Sequence, residues 1–145
     1  MRQNGRLVLA VAALASAACA VSQDQEVAIG RQNAEEINAK LPIVRDPVVS
    51  EYVQQLGLSI AKGTPRSDLD WRFFVVDSKE VNAFALPGGF VYVNRGLIDR
   101  AQQLDELAGA IGHEIGHVVR RHSVQQMAPA SSSSCCARSM RPRLT

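Results

Sequence analysis

Acidic residues run out early in this 145-residue chain. Glu114 is the last Asp or Glu, and residues 128–145 hold three arginines and no acid. The net charge is only +2, from 16 basic and 14 acidic residues, which argues against nucleic acid as the main partner. Cysteine is scarce: Cys19, Cys135 and Cys136 are the three present. Cys135 and Cys136 are neighbours, and neighbouring cysteines rarely bridge each other, so no disulfide framework staples the fold. Long apolar runs are missing too. Leu7–Val21 is the longest stretch of that character, and at 15 residues including Ser16 it is too short for a comfortable membrane span. With 46% hydrophobic and 21% charged residues, the composition excludes a collagen repeat, a coiled coil and a wholly disordered chain. The length suits one ordinary domain.

The N-terminus carries Arg2 and Arg6, then apolar residues from Leu7 to Ala15, then the small-residue stretch Ser16–Ala20. That order is a secretory signal, so residues 1–20 are expected to direct export. Two processing readings stay open. Ala18-Cys19-Ala20 fits simple cleavage before Val21. Ser16-Ala17-Ala18-Cys19 is similar to a bacterial lipoprotein signal with a lipid on Cys19, although Ser16 stands where an aliphatic residue is usual.

The body predicts helix, helix, hairpin, helix. Val27, Ala34 and Ile37 recur at roughly helical spacing within 24–40, which Pro42 ends. Asp46-Pro47 is a cap followed by proline at the first helical position, opening a helix over 47–62 with an apolar stripe of Val49, Tyr52, Val53, Leu56 and Ile60. Residues 71–76, 81–86 and 90–93 read as short strands, and Pro87-Gly88-Gly89 as the turn between the last two. From Gln103 to Met127 the pattern is one more helix, apolar at Leu104, Leu107, Ala108, Ile111, Ile115 and Val118. Gly109, Gly112 and Gly116 inside it each cost about 1 kcal/mol of helix propensity relative to alanine, so close approach to a sheet or a ligand is expected there. Residues 128–145 have no apolar period and read as a disordered or foreign tail.

The chemistry sits in His113-Glu114-Ile115-Gly116-His117. Residues four apart on a helix share a face, so two imidazoles can bind one metal ion. Zinc accepts such nitrogen ligands and brings the pKa of a bound water toward about 7, and the adjacent Glu114 can take that proton. The five-residue match alone arises by chance in many chains. All three histidines, His113, His117 and His122, fall on this one segment.

Two blocks around the motif carry a resemblance. Asn82–Ile98, reading NAFALPGGFVYVNRGLI, resembles the hairpin of the HtpX/BepA-type zinc metallopeptidases, peptidase family M forty-eight, which are gluzincin-like. Glu106-Leu107-Ala108-Gly109, the His113–Val118 segment and Arg121-His122-Ser123 resemble that family's active-site helix. The resemblance covers roughly 24–127. It implies an α+β fold, a mostly helical zincin-like core with a small sheet beside the His-Glu-x-x-His helix, so that 21–127 forms a partial metallopeptidase domain. It further implies one zinc ion on His113 and His117, Glu114 as the catalytic residue, and a peptide substrate added as a strand to the sheet edge. Val81, Asn82, Ala83, Phe84, Ala85 and Leu86 are the expected substrate-binding segment, since an edge offers unpaired backbone groups. Unfolded or misassembled proteins in the bacterial periplasm or envelope are the implied substrates, with membrane association through the leader or a lipid on Cys19.

The family's third ligand is a glutamate on a later helix. No carboxylate follows Glu114, so that ligand is expected to be missing downstream and the domain to be C-terminally truncated. His122 lies about 140° beyond His117 on an ideal helix, a poor position for the same ion; a hydrogen bond near the helix end or a favourable dipole interaction is its plainer role. Cys135 or Cys136 reaching back, or Asp105 or Glu106 from upstream, are the remaining candidates. Two functions follow: a zinc endopeptidase of envelope protein quality control, or a non-catalytic envelope peptide-binding protein with a two-histidine remnant.

Overall fold

The computed structural model describes residues 21–127. The leader, Cys19 and the tail with Cys135 and Cys136 lie outside the described residues. Helix α1 (Gln23–Lys40) starts at a capping box: the Ser22 hydroxyl accepts from the Gln25 N–H while the Gln25 side chain accepts from the Ser22 N–H. Helix α2 (Pro47–Ala61) starts where the sequence predicts, with the Asp46 carboxylate accepting from the N–H groups of Val48 and Val49. Three strands follow, β1 (Arg72–Val76), β2 (Ala83–Leu86) and β3 (Phe90–Asn94), then α3 (Arg95–Arg100), α4 (Leu104–Val119) and α5 (His122–Met127).

The sheet order is β1-β3-β2. β2 and β3 form the expected hairpin, antiparallel with Phe84 opposite Tyr92. Its turn needs Gly88 and Gly89, whose φ of 79° and 100° lie where a side chain is strained. β1 runs parallel to β3, a direction that local sequence does not encode. β3 is therefore central, and all five of its residues are buried.

The sheet packs on both faces. One face carries the larger core: Val53 and Ala61 from α2, Phe73, Val75, Val91 and Val93 from the sheet, and Leu107, Ile111, Ile115 and Val118 from α4. On the other face Ala34, Val76, Phe90 and Tyr92 pack with Ile37, Phe74 and Phe84, and the Phe74 and Phe84 rings each stack 4.9 Å from Tyr92. The architecture is the α+β class expected from sequence, with a small mixed sheet against the motif helix.

Several local readings change. The buried stripe of α2 is Val53, Gly57 and Ala61, whereas Val49 and Tyr52 face outward. Small residues win this face because the Phe73 ring lies so close that a Cβ at Gly57 would sit 2.4 Å from it. In α1 the buried positions are Glu26, Gly30 and Ala34, and Val27 is only half buried. The segment after β3 is helical, which the sequence reading left out. The single helix over 103–127 is two helices, because Arg121, just after the α4 C-cap Arg120, takes the left-handed conformation with φ 57°. Leu104, counted in the apolar stripe, is 52% exposed in the first turn.

Candidate metal centre

α4 presents its apolar side to the core through Leu107, Ile111, Ile115 and Val118, spaced at three and four. His113, Glu114 and His117 fall outside that stripe: His113 is exposed, and the other two are half buried. His113 and His117 are one helical turn apart, and their Nε2 atoms lie 3.0 Å from each other with the rings nearly perpendicular. With Glu114, they form a group whose donor atoms lie within 4.8 Å of one another. Two imidazole nitrogens bound at about 2.0–2.1 Å to one tetrahedral ion stand about 3.3 Å apart. The observed spacing is within a few tenths of that, so the two rings fit a shared divalent metal ion. Both suit it chemically, as neutral nitrogen donors with a carboxylate beside them.

Among the described residues, no further acid or thiol joins this group. Asp105 and Glu106 stay apart from it, and the Glu106 carboxylate accepts from the Gln102 N–H at 2.9 Å. His122 is placed differently from the ideal-helix expectation. The break at Arg121 turns α5 back, so that His122 Nδ1 lies 2.8 Å from Nδ1 of His117. It still does not join the His113–His117 pair, because it meets the ring nitrogen of His117 that points away from His113.

Among the described residues, the structure shows no close approach of the three glycines of α4 to the sheet. A Cβ at Gly109 or Gly116 meets nothing within 4 Å among the described residues, and one at Gly112 meets Ile60 Cγ2 at an ordinary 3.8 Å.

β2 packs along α4 and sits at the sheet edge, with no strand on its outer side among the described residues. The opposite edge is partly closed: Ile43 bridges Val76, the Val44 N–H donates to Val75, and the Asp77 N–H donates to Pro42. Of the six residues expected at the substrate edge, Ala83, Phe84, Ala85 and Leu86 form β2, all half buried. Asn82 and Val81 precede the strand. Asn82 accepts from the Asn94 N–H on the inner side, and Val81 is exposed.

A second polar cluster, missed from sequence, ties down the C-terminal end of α4. The Glu26 carboxylate is fully buried. It accepts from Nη1 and Nη2 of Arg66 at 2.8 and 3.1 Å and from the Gly88 N–H at 3.3 Å. Arg121 Nε lies 2.8 Å from its second oxygen, an ion pair whose N–H is poorly aimed for a hydrogen bond. Arg66 also donates to the Val118 carbonyl at the end of α4. Burial by itself pushes the Glu26 carboxyl up, but the Arg66 hydrogen bonds and charge, the Gly88 N–H and the Arg121 charge outweigh it and hold the group below its ordinary value. The partners lie 40 to 95 positions away in the chain, so no local pattern announces them.

Comparison with known proteins identifies the family. The model of peptidase family M48 matches residues 47–140. The chain is 35% identical over 104 residues to a putative beta-barrel assembly-enhancing protease of Vibrio cholerae, covering 72% of this chain and 22% of that protein. It is 30% identical over 112 residues to the beta-barrel assembly-enhancing protease of Escherichia coli, covering 77% and 23%. With the mitochondrial metalloendopeptidase OMA1 of Schizosaccharomyces pombe the identity is 37% over 84 residues, 58% of this chain and 25% of that one. The chain thus spans about a quarter of the length of these curated relatives. A family match over most of the described residues, on a helix whose two histidines converge beside a glutamate, means that this chain belongs to peptidase family M48.

Proposed function

We propose that this chain carries the catalytic centre of a zinc-dependent metalloendopeptidase of the bacterial envelope. The observation that carries the reading is the 3.0 Å convergence of the His113 and His117 Nε2 atoms, with Glu114 beside them and a sheet edge along the same helix. His113 and His117 would hold the ion. When bound, zinc supplies a Lewis acid that polarises the scissile carbonyl and acidifies water. Glu114, half buried between the two histidines, takes the proton from the attacking water and hands it to the leaving amine. Ala83–Leu86 bind the substrate main chain as an added strand, led in by Val81 and Asn82. Recognition through backbone groups selects extended polypeptide with little regard to side chains. That suits unfolded or misassembled proteins as substrates, and the relatives named as assembly-enhancing proteases support quality control as the setting. The leader-like residues 1–20 support export, with either a mature start at Val21 or a lipid on Cys19. No helix among the described residues is long and apolar enough to cross a membrane.

Zinc content of the purified full chain, measured beside His113→Ala, tests the site. With two histidine ligands among the described residues, weak zinc binding by the wild type and none by the variant is expected. Equal zinc in both proteins would refute the assignment of the pair. Casein cleavage beside Glu114→Gln tests the base: any cleavage has to vanish in the variant, and turnover that survives it would remove Glu114 from the mechanism.

A further inference from the structure

His122 has no part in the chemistry described so far, yet its ring is held 2.8 Å from His117, Nδ1 to Nδ1, at an interplanar angle of 70°. Helical periodicity does not put it there. Arg120 ends α4, Arg121 adopts φ 57°, and the chain turns so that the sixth residue of the segment comes back onto its first. A non-glycine residue in that conformation costs about 1 kcal/mol. The break is tied down on both sides. Arg121 pairs with buried Glu26 through Nε and donates through its guanidinium to the Val21 carbonyl. Backbone strain combined with a buried charge cluster is a large investment for packing one half-buried histidine.

The hydrogen-bond logic gives the arrangement a purpose. Two Nδ1 atoms at 2.8 Å share one proton. If it sits on His122, His117 carries its own proton on Nε2, the atom that faces His113, and that nitrogen has no lone pair to give. If it sits on His117, Nε2 is free and His122 Nδ1 accepts. Metal-binding histidines commonly donate their second ring nitrogen to an acceptor that fixes tautomer and orientation. Here the acceptor is another imidazole. We propose that His122 is a positioning residue for the metal centre: its Nδ1 accepts from His117 Nδ1–H, locks His117 in the tautomer with Nε2 unprotonated, and aims that ring at His113. Glu26 and Arg121 hold His122 in place.

The inference rests on the metal reading of His113 and His117, so its test has one arm that needs no metal. Long-range nitrogen–proton correlation NMR on the metal-free full chain reads the tautomer of His117 directly. His117 with its proton on Nδ1 is expected in the wild type; a proton on Nε2 would overturn the proposal whatever the metal does. The second arm is affinity for Co(II), read from its visible absorption bands. His122→Leu removes the acceptor and is expected to weaken binding about 10- to 100-fold. His122→Asn keeps an oxygen near the position of Nδ1 and is expected to restore most of that loss together with the tautomer. Affinity and tautomer unchanged in His122→Leu, or a loss that His122→Asn does not rescue, would reduce His122 to packing. A wild type that takes up no cobalt while His117 keeps the Nδ1 proton would sink the metal reading and leave the hydrogen-bond assignment standing.

Discussion

Replacing Glu26 with Gln keeps the shape of the side chain and removes one charge, and the consequences can be worked from the contacts. In the wild type the carboxylate is completely buried and faces two guanidiniums; the Arg66 side chain is 11% exposed and that of Arg121 35%. With Gln there, Arg66 stays largely desolvated, keeping the amide oxygen and the Val118 carbonyl as acceptors but facing no negative charge, and Arg121 keeps a third of its surface in water. Breaking a buried pair from one side costs about 3–5 kcal/mol, and the partial exposure of Arg121 puts this case near the lower figure, about 3 kcal/mol. For a domain of this size that lowers Tm by about 12 °C or more. The pH dependence supplies a second signature. The folded-state pKa of Glu26 is depressed below its ordinary 4.5, so the charged form stabilises the fold above that pH. The contribution is lost as pH falls from 4.5 through the folded value. Urea denaturation at pH 7 and at steps below pH 5 reads both effects. The wild type should lose more stability on acidification than Glu26→Gln, and the two curves should converge at low pH. A difference under about 1 kcal/mol at pH 7, or parallel acid limbs, would refute the view that this cluster braces the α4–α5 junction.

Two further outcomes are expected. The Tyr92 phenol is buried and donates to Asn38 Oδ1 at 3.0 Å, and burial pushes its pKa from 10 up to about 12. Stability from this group is complete below pH 10 and is lost as pH rises toward 12, so Tyr92→Phe should cost about 1 kcal/mol at pH 7 and flatten the alkaline limb of a melting-temperature profile. Gly109→Ala should raise the stability of this chain by about 1 kcal/mol in urea denaturation, because its Cβ enters open space and alanine is the better helix former; a decrease would mean that something packs on that face of α4.

Much of the candidate metal centre was legible because its signal is local. His113, Glu114 and His117 need only a helix to converge, and the apolar spacing of Leu107, Ile111, Ile115 and Val118 predicts one. The cap at Asp46-Pro47 and the turn at Gly88-Gly89 were equally readable, since both rest on the backbone preferences of one or two residues. Other features depended on partners far away in the chain. The parallel pairing of β1 with β3 follows from which faces α1, α2 and α4 can cover, and no strand announces its own direction. Gly57 and Ala61 face the core because Phe73 needs room there, so the hydrophobic stripe read from Val49 and Tyr52 was rotated. The helix through Arg120-Arg121-His122 is locally plausible from the sequence; it breaks because Glu26, 95 positions earlier, meets Arg121 in the interior. Short-range chemistry thus lay in the sequence itself. The setting of His122 against His117 was decided only by the tertiary fold, where the buried Glu26 carboxylate draws in the guanidiniums of Arg66 and Arg121 because its charge has no water to solvate it.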